Sequence, residues 1–202
     1  MVKENGITLD GVAPLRTIGV VGSRSVPPKC GAVIGGVVDY LIERGFPPKG
    51  DKHIASGGAV GADHYALTRL LERERADRGV IFSAWDNLRA FPAKVRPHLR
   101  HFQTEGGAIV WGTSSGAGHT GMIKLALLHR NVRLVDATEG IVAFMAPNSR
   151  GTFFTLKRAI EQRKKIVVFP IGCDLPGFKV LQWRPIKCGG IWDGAFKAVY
   201  VR

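Results

Sequence analysis

Short apolar runs alternate along the chain with longer segments in which apolar residues recur at helical spacing. The short runs are rich in β-branched residues and are bounded by glycine or proline, which is typical of strands buried on both faces of a parallel sheet. They span residues 17–22, 53–56, 79–84, 108–111, 139–145 and 165–170. Apolar residues at helical spacing predict four helices in the segments between these strands. One lies between Pro27 and Gly45, and the others span about 59–78, 122–134 and 151–162.

This alternation predicts an α/β fold, a Rossmann-like, doubly wound and mainly parallel sheet with helices on both faces. We expect a lead-in segment at 1–16, a Rossmann-like nucleotide-binding domain over 17–170, and a C-terminal tail at 171–202 with edge strands. The stretch 85–107 breaks the rhythm with two prolines and many basic residues, and we interpret it as a basic insertion. Ligands of such sheets bind beyond the carboxyl ends of the strands, where the strand order reverses.

The charge is the unusual bulk property, because 29 Lys and Arg against 16 Asp and Glu give a net charge of +13. The electric field of such a charge attracts polyanions, so nucleic acid is a candidate partner. The alternative is a basic surface that only keeps the chain solvated. No apolar run is long enough to span a bilayer, and we expect no membrane partner. The three cysteines are scattered, which argues against disulfides and a zinc site and fits a cytoplasmic location.

Three strand ends carry small or polar residues suited to binding an anion. Glycine lets backbone N–H groups approach a phosphate, and a helix start adds free N–H groups and a favourable dipole. The candidate residues are Gly22, Ser23 and Arg24 in the first turn, Ser56, Gly57, Gly58, Ala59, Gly61 and Asp63 in the second, and Ser149, Arg150, Gly151 and Thr152 in the third.

The ordered set GSR, SGGAVGAD, HRN and SRGT resembles the SMF/DprA–LOG (SLOG) superfamily, with most likeness to its small YspA-like branch and the DprA proteins as second relatives. The resemblance covers about residues 17–170 and implies a Rossmann-like fold that binds nucleotides or their derivatives. It implies that the glycines of the second turn and Asp63 form a phosphate-side turn, and that Gly151 and Thr152 hold a phosphate. It also implies that Arg130 and Asn131 point into the cleft. We further predict that Arg130→Ala weakens nucleotide binding with little loss of stability.

The superfamily's phosphoribohydrolases carry a PGGxGTxxE signature, whose glutamate is tied to cleavage of an N-glycosidic bond. The matching stretch here is NSRGTFFTLK, which lacks the double glycine and carries Lys157 or its neighbours in place of the acid. The sequence therefore leaves open whether the chain is an enzyme, and it assigns no catalytic residue.

Other motifs in the chain are weaker. Residues 116–121 spell GxGxxG, but no acid follows at the end of the next strand, and the P-loop pattern is absent, so we predict no cofactor. His98 and His101 lie in the basic insertion without a carboxylate or cysteine beside them, and we predict no metal site. Met122 and the leucines at 125, 127 and 128 are interpreted as core residues.

Two ligand-binding functions remain open at this point, and a noncatalytic assembly subunit that binds neither ligand is a third possibility. The leading hypothesis is a protein that binds a phosphate-bearing nucleotide or derivative, as a sensor or as a nucleotide-processing, N-glycosidic hydrolase-like enzyme. The alternative is a DprA-like module that binds single-stranded DNA without catalysis, which the net charge of +13 favours. We expect the chain to form a homo-oligomer in either case.

Overall fold

The computed structural model describes residues 17–43, 54–116 and 118–201, which form one sheet of eight strands with five α-helices. The strands are β1 Ile18–Gly22, β2 Ile54–Ser56, β3 Gly79–Phe82, β4 Ala108–Val110, β5 Gly140–Met145, β6 Lys165–Pro170, β7 Leu181–Pro185 and β8 Phe196–Tyr200. The helices are α1 Cys30–Glu43, α2 Ala62–Glu72, α3 Arg96–Thr104, α4 Thr120–Asp136 and α5 Arg150–Glu161. The predicted α/β, mainly parallel, Rossmann-like fold is confirmed. In the described part of the chain, no helix is both long and apolar enough to cross a membrane.

The strand order of the sheet places a crevice beside β1. The order is β4-β3-β2-β1-β5-β6-β8-β7, with β1 to β6 parallel and β8 antiparallel to both of its neighbours, β6 and β7. The strands β2, β3 and β4 follow one another outward on one side of β1, and β5 lies on the other side of β1. The loops that follow β1 and β5 therefore diverge from one point of the sheet edge, which is where doubly wound sheets bind ligands.

The core forms where apolar faces of the helices cover the sheet. In α1, residues Ile34, Val37, Val38 and Leu41 follow the spacing i, i+3, i+4, i+7 and are all buried. Burial of each such side chain stabilises the fold by about 1.5–3 kcal/mol, which holds the helix on the sheet beside β1. The buried faces of the helices therefore position the strand ends that form the crevice.

The stretch 85–107 contains a helix that the irregular sequence pattern did not predict. Leu99 and Phe102 of α3 are fully buried, and Phe91 is 3% exposed. Phe102 fits against two glycines, because a Cβ at Gly79 would lie 2.6 Å from its ring. The aromatic residues of this stretch anchor it to the core, while its role as an insertion stays a prediction.

The first turns of α4 correct one sequence interpretation. Met122 is 58% exposed and Leu125 is 67% exposed, so the prediction that both are core residues was wrong. Only the second half of α4 carries fully buried apolar side chains, those of Leu134 and Val135. Helical spacing of apolar residues alone does not reveal which part of a helix extends beyond the sheet.

Candidate functional site

A cavity of about 440 Å³ lies at the edge of the sheet where the order reverses. Its walls are the loop after β1, the turn between β5 and α5, and one face of α4. We call it the cationic cleft. Eleven of the predicted site residues line it: Gly22, Ser23, Arg24, Ala59, Asp63, Arg130, Asn131, Ser149, Arg150, Gly151 and Thr152.

The loop after β1 is held against β5 and presents Arg24 to the cleft. The Ser23 amide donates to the carbonyl oxygen of Phe144 at 2.9 Å, which extends the parallel pairing by one residue. Gly22 is required by this packing, because a Cβ there would lie 2.5 Å from the same oxygen. The Ser23 and Ser25 hydroxyls lie 3.0 Å apart, and Arg24 between them is exposed. The loop thus places the Arg24 side chain and two serine hydroxyls in the lining of the cleft.

The turn from β5 into α5 directs a helix start at the cleft. Ser149 and Thr152 share a hydrogen bond of 2.7 Å between their hydroxyls. The Gly151 carbonyl accepts from the Thr155 hydroxyl at 3.0 Å and from the Asn131 amide at 3.5 Å, which ties α5 to α4. The first N–H groups of a helix have no partner within it, and together with the helix dipole they favour an anion.

Asn148 carries the backbone strain of this turn, since its φ is 59°. We expect Asn148→Ala to lower the free energy of unfolding by about 1 kcal/mol, because asparagine tolerates the left-handed region better than alanine does. Asn148→Gly is the matched control, which has no Cβ and should retain wild-type stability within about 0.5 kcal/mol. Urea denaturation measures both, and equal stability of the two variants would contradict the strained turn.

The exposed cations of the cleft have no acidic partner in the part of the chain that the structure describes. Arg24, Lys124 and Arg150 form no ion pair with any carboxylate in the described ranges, whereas Arg69, Arg73 and Arg158 on other surfaces do. The cleft therefore concentrates uncompensated positive charge, which is available to an anionic ligand.

Lys124 was missed by the sequence prediction, although a signal for it was present. It lies seven residues before Asn131 on α4, which is two helical turns and places both on one face. Ser25, Asn148 and Thr155 also line the cleft and were not predicted.

Asp63 and Arg130 form a buried ion pair at the base of the cleft. Asp63 Oδ2 lies 3.4 Å from Arg130 Nη1, and the two side chains are 6% and 8% exposed. Burial raises the pKa of Asp63 and lowers the pKa of Arg130, and each charge opposes the effect of burial on its partner. The Ala59 amide also donates to Asp63 Oδ2 at 3.3 Å. Removing either partner would leave the other charge buried and unpaired, so from this geometry we expect Arg130 to matter for stability, contrary to the expectation from the sequence.

The glycines of the second turn serve close packing. A Cβ on Gly57 would overlap Arg130 Nη1, so the guanidinium lies directly on the peptide there. Gly61 has φ 86°, and a Cβ on it would overlap the Ser23 carbonyl oxygen, which already accepts from the Ala62 amide at 3.2 Å. Of this turn, Ala59 and Asp63 line the cleft, Gly57 and Gly58 line a smaller neighbouring cavity, and Ser56 and Gly61 line neither. Ligand contact by these residues remains a prediction.

Metal-binding side chains do not converge in the part of the chain that the structure describes, where no group of three or more His, Cys, Asp or Glu is close enough to hold an ion. Among the described residues, the polar lining of the cleft consists of hydroxyl, amide, ammonium and guanidinium groups around one carboxylate, that of Asp63.

Comparison with known proteins gives one family. The family model described as DNA recombination-mediator protein A matches residues 9–179, which is most of the chain. No curated protein matches.

Two solved structures share the fold. DNA processing protein A from Helicobacter pylori, a structure described by its single-stranded DNA binding mode, has a TM-score of 0.59 and 18% identity over 77% of this chain. DNA processing protein A (DprA) from Streptococcus pneumoniae has a TM-score of 0.58 and 21% identity over 82% of this chain. The matches span 65% and 52% of those two chains.

Proposed function

The chain belongs to the DNA recombination-mediator protein A family. From this membership and from the exposed cations of its cleft, which no described carboxylate pairs with, we propose that it binds single-stranded DNA. The strand's phosphates lie in the cationic cleft against Arg24, Lys124 and Arg150. Membership of the narrower YspA-like branch is likewise a proposal, which rests on the motifs alone.

One observation carries this proposal: the three cations surround the crevice and no described carboxylate neutralises them. Phosphates are contacted mainly by arginine, lysine, hydroxyl groups and helix starts, and the cleft offers all four. Its volume of about 440 Å³ suits a short length of one strand and does not enclose a duplex.

The contacts of the Asp63 carboxylate favour ligand binding over N-glycosidic cleavage as the function of the cleft. Asp63 is the carboxylate in the described lining, and it is engaged by Arg130 and by the Ala59 amide. A general acid or base needs to reach the reacting group, and a glycosidic reaction ordinarily uses two carboxyl groups. The cleft is therefore better suited to holding a phosphate chain than to cleaving a nucleotide.

Fluorescence anisotropy with a labelled oligothymidylate tests the proposal. Three phosphate contacts to a single strand give a slope of about −2 in log affinity against log salt, so a fourfold rise in salt should weaken binding about twentyfold. Thymidine monophosphate shares the phosphate chemistry, but it should compete only weakly, because it offers one phosphate where the strand offers several.

A duplex of the same length is the control for strand selectivity. It should bind more weakly than the single strand at each salt concentration. Equal affinity for duplex and single strand would contradict the proposal. Saturable binding of the mononucleotide with little salt response, and no binding of the oligonucleotide, would instead favour a nucleotide pocket.

A further inference from the structure

Two histidines lie against each other where α2 meets α3. His64 Nε2 and His98 Nδ1 are 3.3 Å apart, and the two rings meet edge to face with their centroids 4.7 Å apart. In such a hydrogen bond one ring nitrogen donates and the other accepts, so the two facing nitrogens carry one proton between them. Protonation of both nitrogens removes the acceptor and therefore breaks the contact between the rings.

The surroundings of this histidine pair are cationic. Burial lowers the pKa of His64, and the nearby His98 and Lys94 lower it further. No carboxylate in the described ranges forms an ion pair with any of these three side chains, whereas His101 on the same helix has Glu105 at 3.7 Å. A second proton on the pair therefore calls for an anion that the described part of the chain does not supply.

The pair lies about one helical turn from the edge of the cationic cleft. His64 follows Asp63 in the first turn of α2, where the Asp63 carboxylate is already paired with Arg130. The start of this helix packs on the loop that carries Arg24, since a Cβ on Gly61 would lie 2.6 Å from the Arg24 Cα. The helix dipole also favours negative charge at this end of α2. A strand that leaves the cleft past Arg24 therefore meets the histidine pair next.

A phosphate group can replace the hydrogen bond that protonation removes. Its oxygens accept from both imidazolium rings, and such charge-assisted hydrogen bonds are stronger than a bond between neutral partners. An anion held there favours the charged form of the rings. Because linkage is reciprocal, protonation of the rings then raises the affinity for the anion by the same factor.

We propose that His64 and His98 bind a backbone phosphate of the single strand when both rings are protonated, so that DNA binding takes up a proton and strengthens as the pH falls. The inference rests on the proposed function, because the strand must first be held in the cationic cleft. The proton comes from the solvent and converts the accepting nitrogen of the pair into a second donor.

Fluorescence anisotropy with labelled oligothymidylate at two pH values and fixed salt measures this linkage. Neither thymine nor a phosphodiester titrates between about pH 5.5 and about pH 7.5, where histidine does. The full chain should bind the oligonucleotide about tenfold more tightly at the lower pH, which is the effect expected when an anion raises the pKa of a histidine that takes up one proton.

Three variants and one control assign the response to the pair. His64→Gln and His98→Gln retain hydrogen-bonding groups but cannot be protonated, so each should lose most of the pH response. His98→Lys carries a permanent charge, and it should bind more tightly than the wild-type chain at about pH 7.5 and respond less to pH. His101→Gln is the matched control on the same helix, and it should keep the tenfold response because its ring is paired with Glu105.

The outcomes separate this inference from the proposed function. If the wild-type chain binds oligothymidylate equally at both pH values, with the steep salt response, the cleft holds the strand and the histidine site is refuted. If the oligonucleotide binds at neither pH, the proposed function fails and the inference fails with it. Thermal melts at both pH values identify any variant that does not fold. An undiminished pH response in a folded His64→Gln or His98→Gln variant also overturns the inference.

Discussion

A variant that combines Arg24→Ala, Lys124→Ala and Arg150→Ala is expected to lose almost all affinity for single-stranded DNA. If each cation contacts one phosphate, counterion release through three contacts contributes about 500-fold at about 50 mM salt and about 50-fold at about 150 mM. The loss should therefore shrink as salt rises, and the salt slope of the variant should approach zero. Stability should change little, because all three side chains are exposed and form no ion pair with a described carboxylate.

A matched variant controls for the change in net charge. Arg184→Ala, Lys187→Ala and Lys197→Ala remove the same charge from exposed positions in and beside β7 and β8, at the far edge of the sheet from β1. Anisotropy titrations of both variants against oligothymidylate give the comparison. The control should stay within a few-fold of wild type, since screening limits the reach of exposed charges. Equal losses in the two variants would mean that overall charge, and not the cleft, holds the strand.

The second large effect concerns stability. Arg130→Met and Asp63→Leu should each lower the free energy of unfolding by about 3–5 kcal/mol, because each leaves one buried charge without its partner. The double variant should lose less than the sum of the two, because it removes both buried charges together. Chemical denaturation of the four proteins gives this double-mutant cycle.

Asn131→Ala is the control for this cycle, since Asn131 follows Arg130 on α4 and is only partly buried. Its hydrogen bond to the Gly151 carbonyl is long, at 3.5 Å, and its loss should cost under about 1 kcal/mol. If Arg130→Met lowers the free energy of unfolding as little as Asn131→Ala does, the buried pair does not stabilise the fold, and the role of Arg130 is confined to ligand binding.

The local part of the architecture could be predicted from the sequence. The strand prediction at 165–170 coincides with β6 Lys165–Pro170, and the helix predicted at 151–162 is α5 Arg150–Glu161. These elements carry their own apolar periodicity and their own bounding turns, so no long-range knowledge is needed. The helix α3 was missed because only Leu99 and Phe102 of its nine residues are buried, too few to reveal a period.

Part of the cleft could also be predicted from the sequence. The residues after β1 and β5 were placed at one edge because parallel strands end together, and the structure brings both turns to one cavity. The contact between Asp63 and Arg130 joins residues 67 apart in the chain, and no local pattern shows it. Because no local pattern shows that contact, the sequence could not reveal that Gly57 makes room for a guanidinium, and phosphate binding by the glycines of the second turn stays a prediction.

Hydrogen exchange with and without a saturating oligothymidylate tests the central claim most directly, because it locates the ligand on the chain. We predict slower exchange at the amides of residues 22–25 and 148–152, which form the two turns of the cationic cleft, and no change at β7 and β8. Protection confined to β7 and β8, with unchanged exchange at both turns, would show that the strand binds elsewhere and would contradict the account.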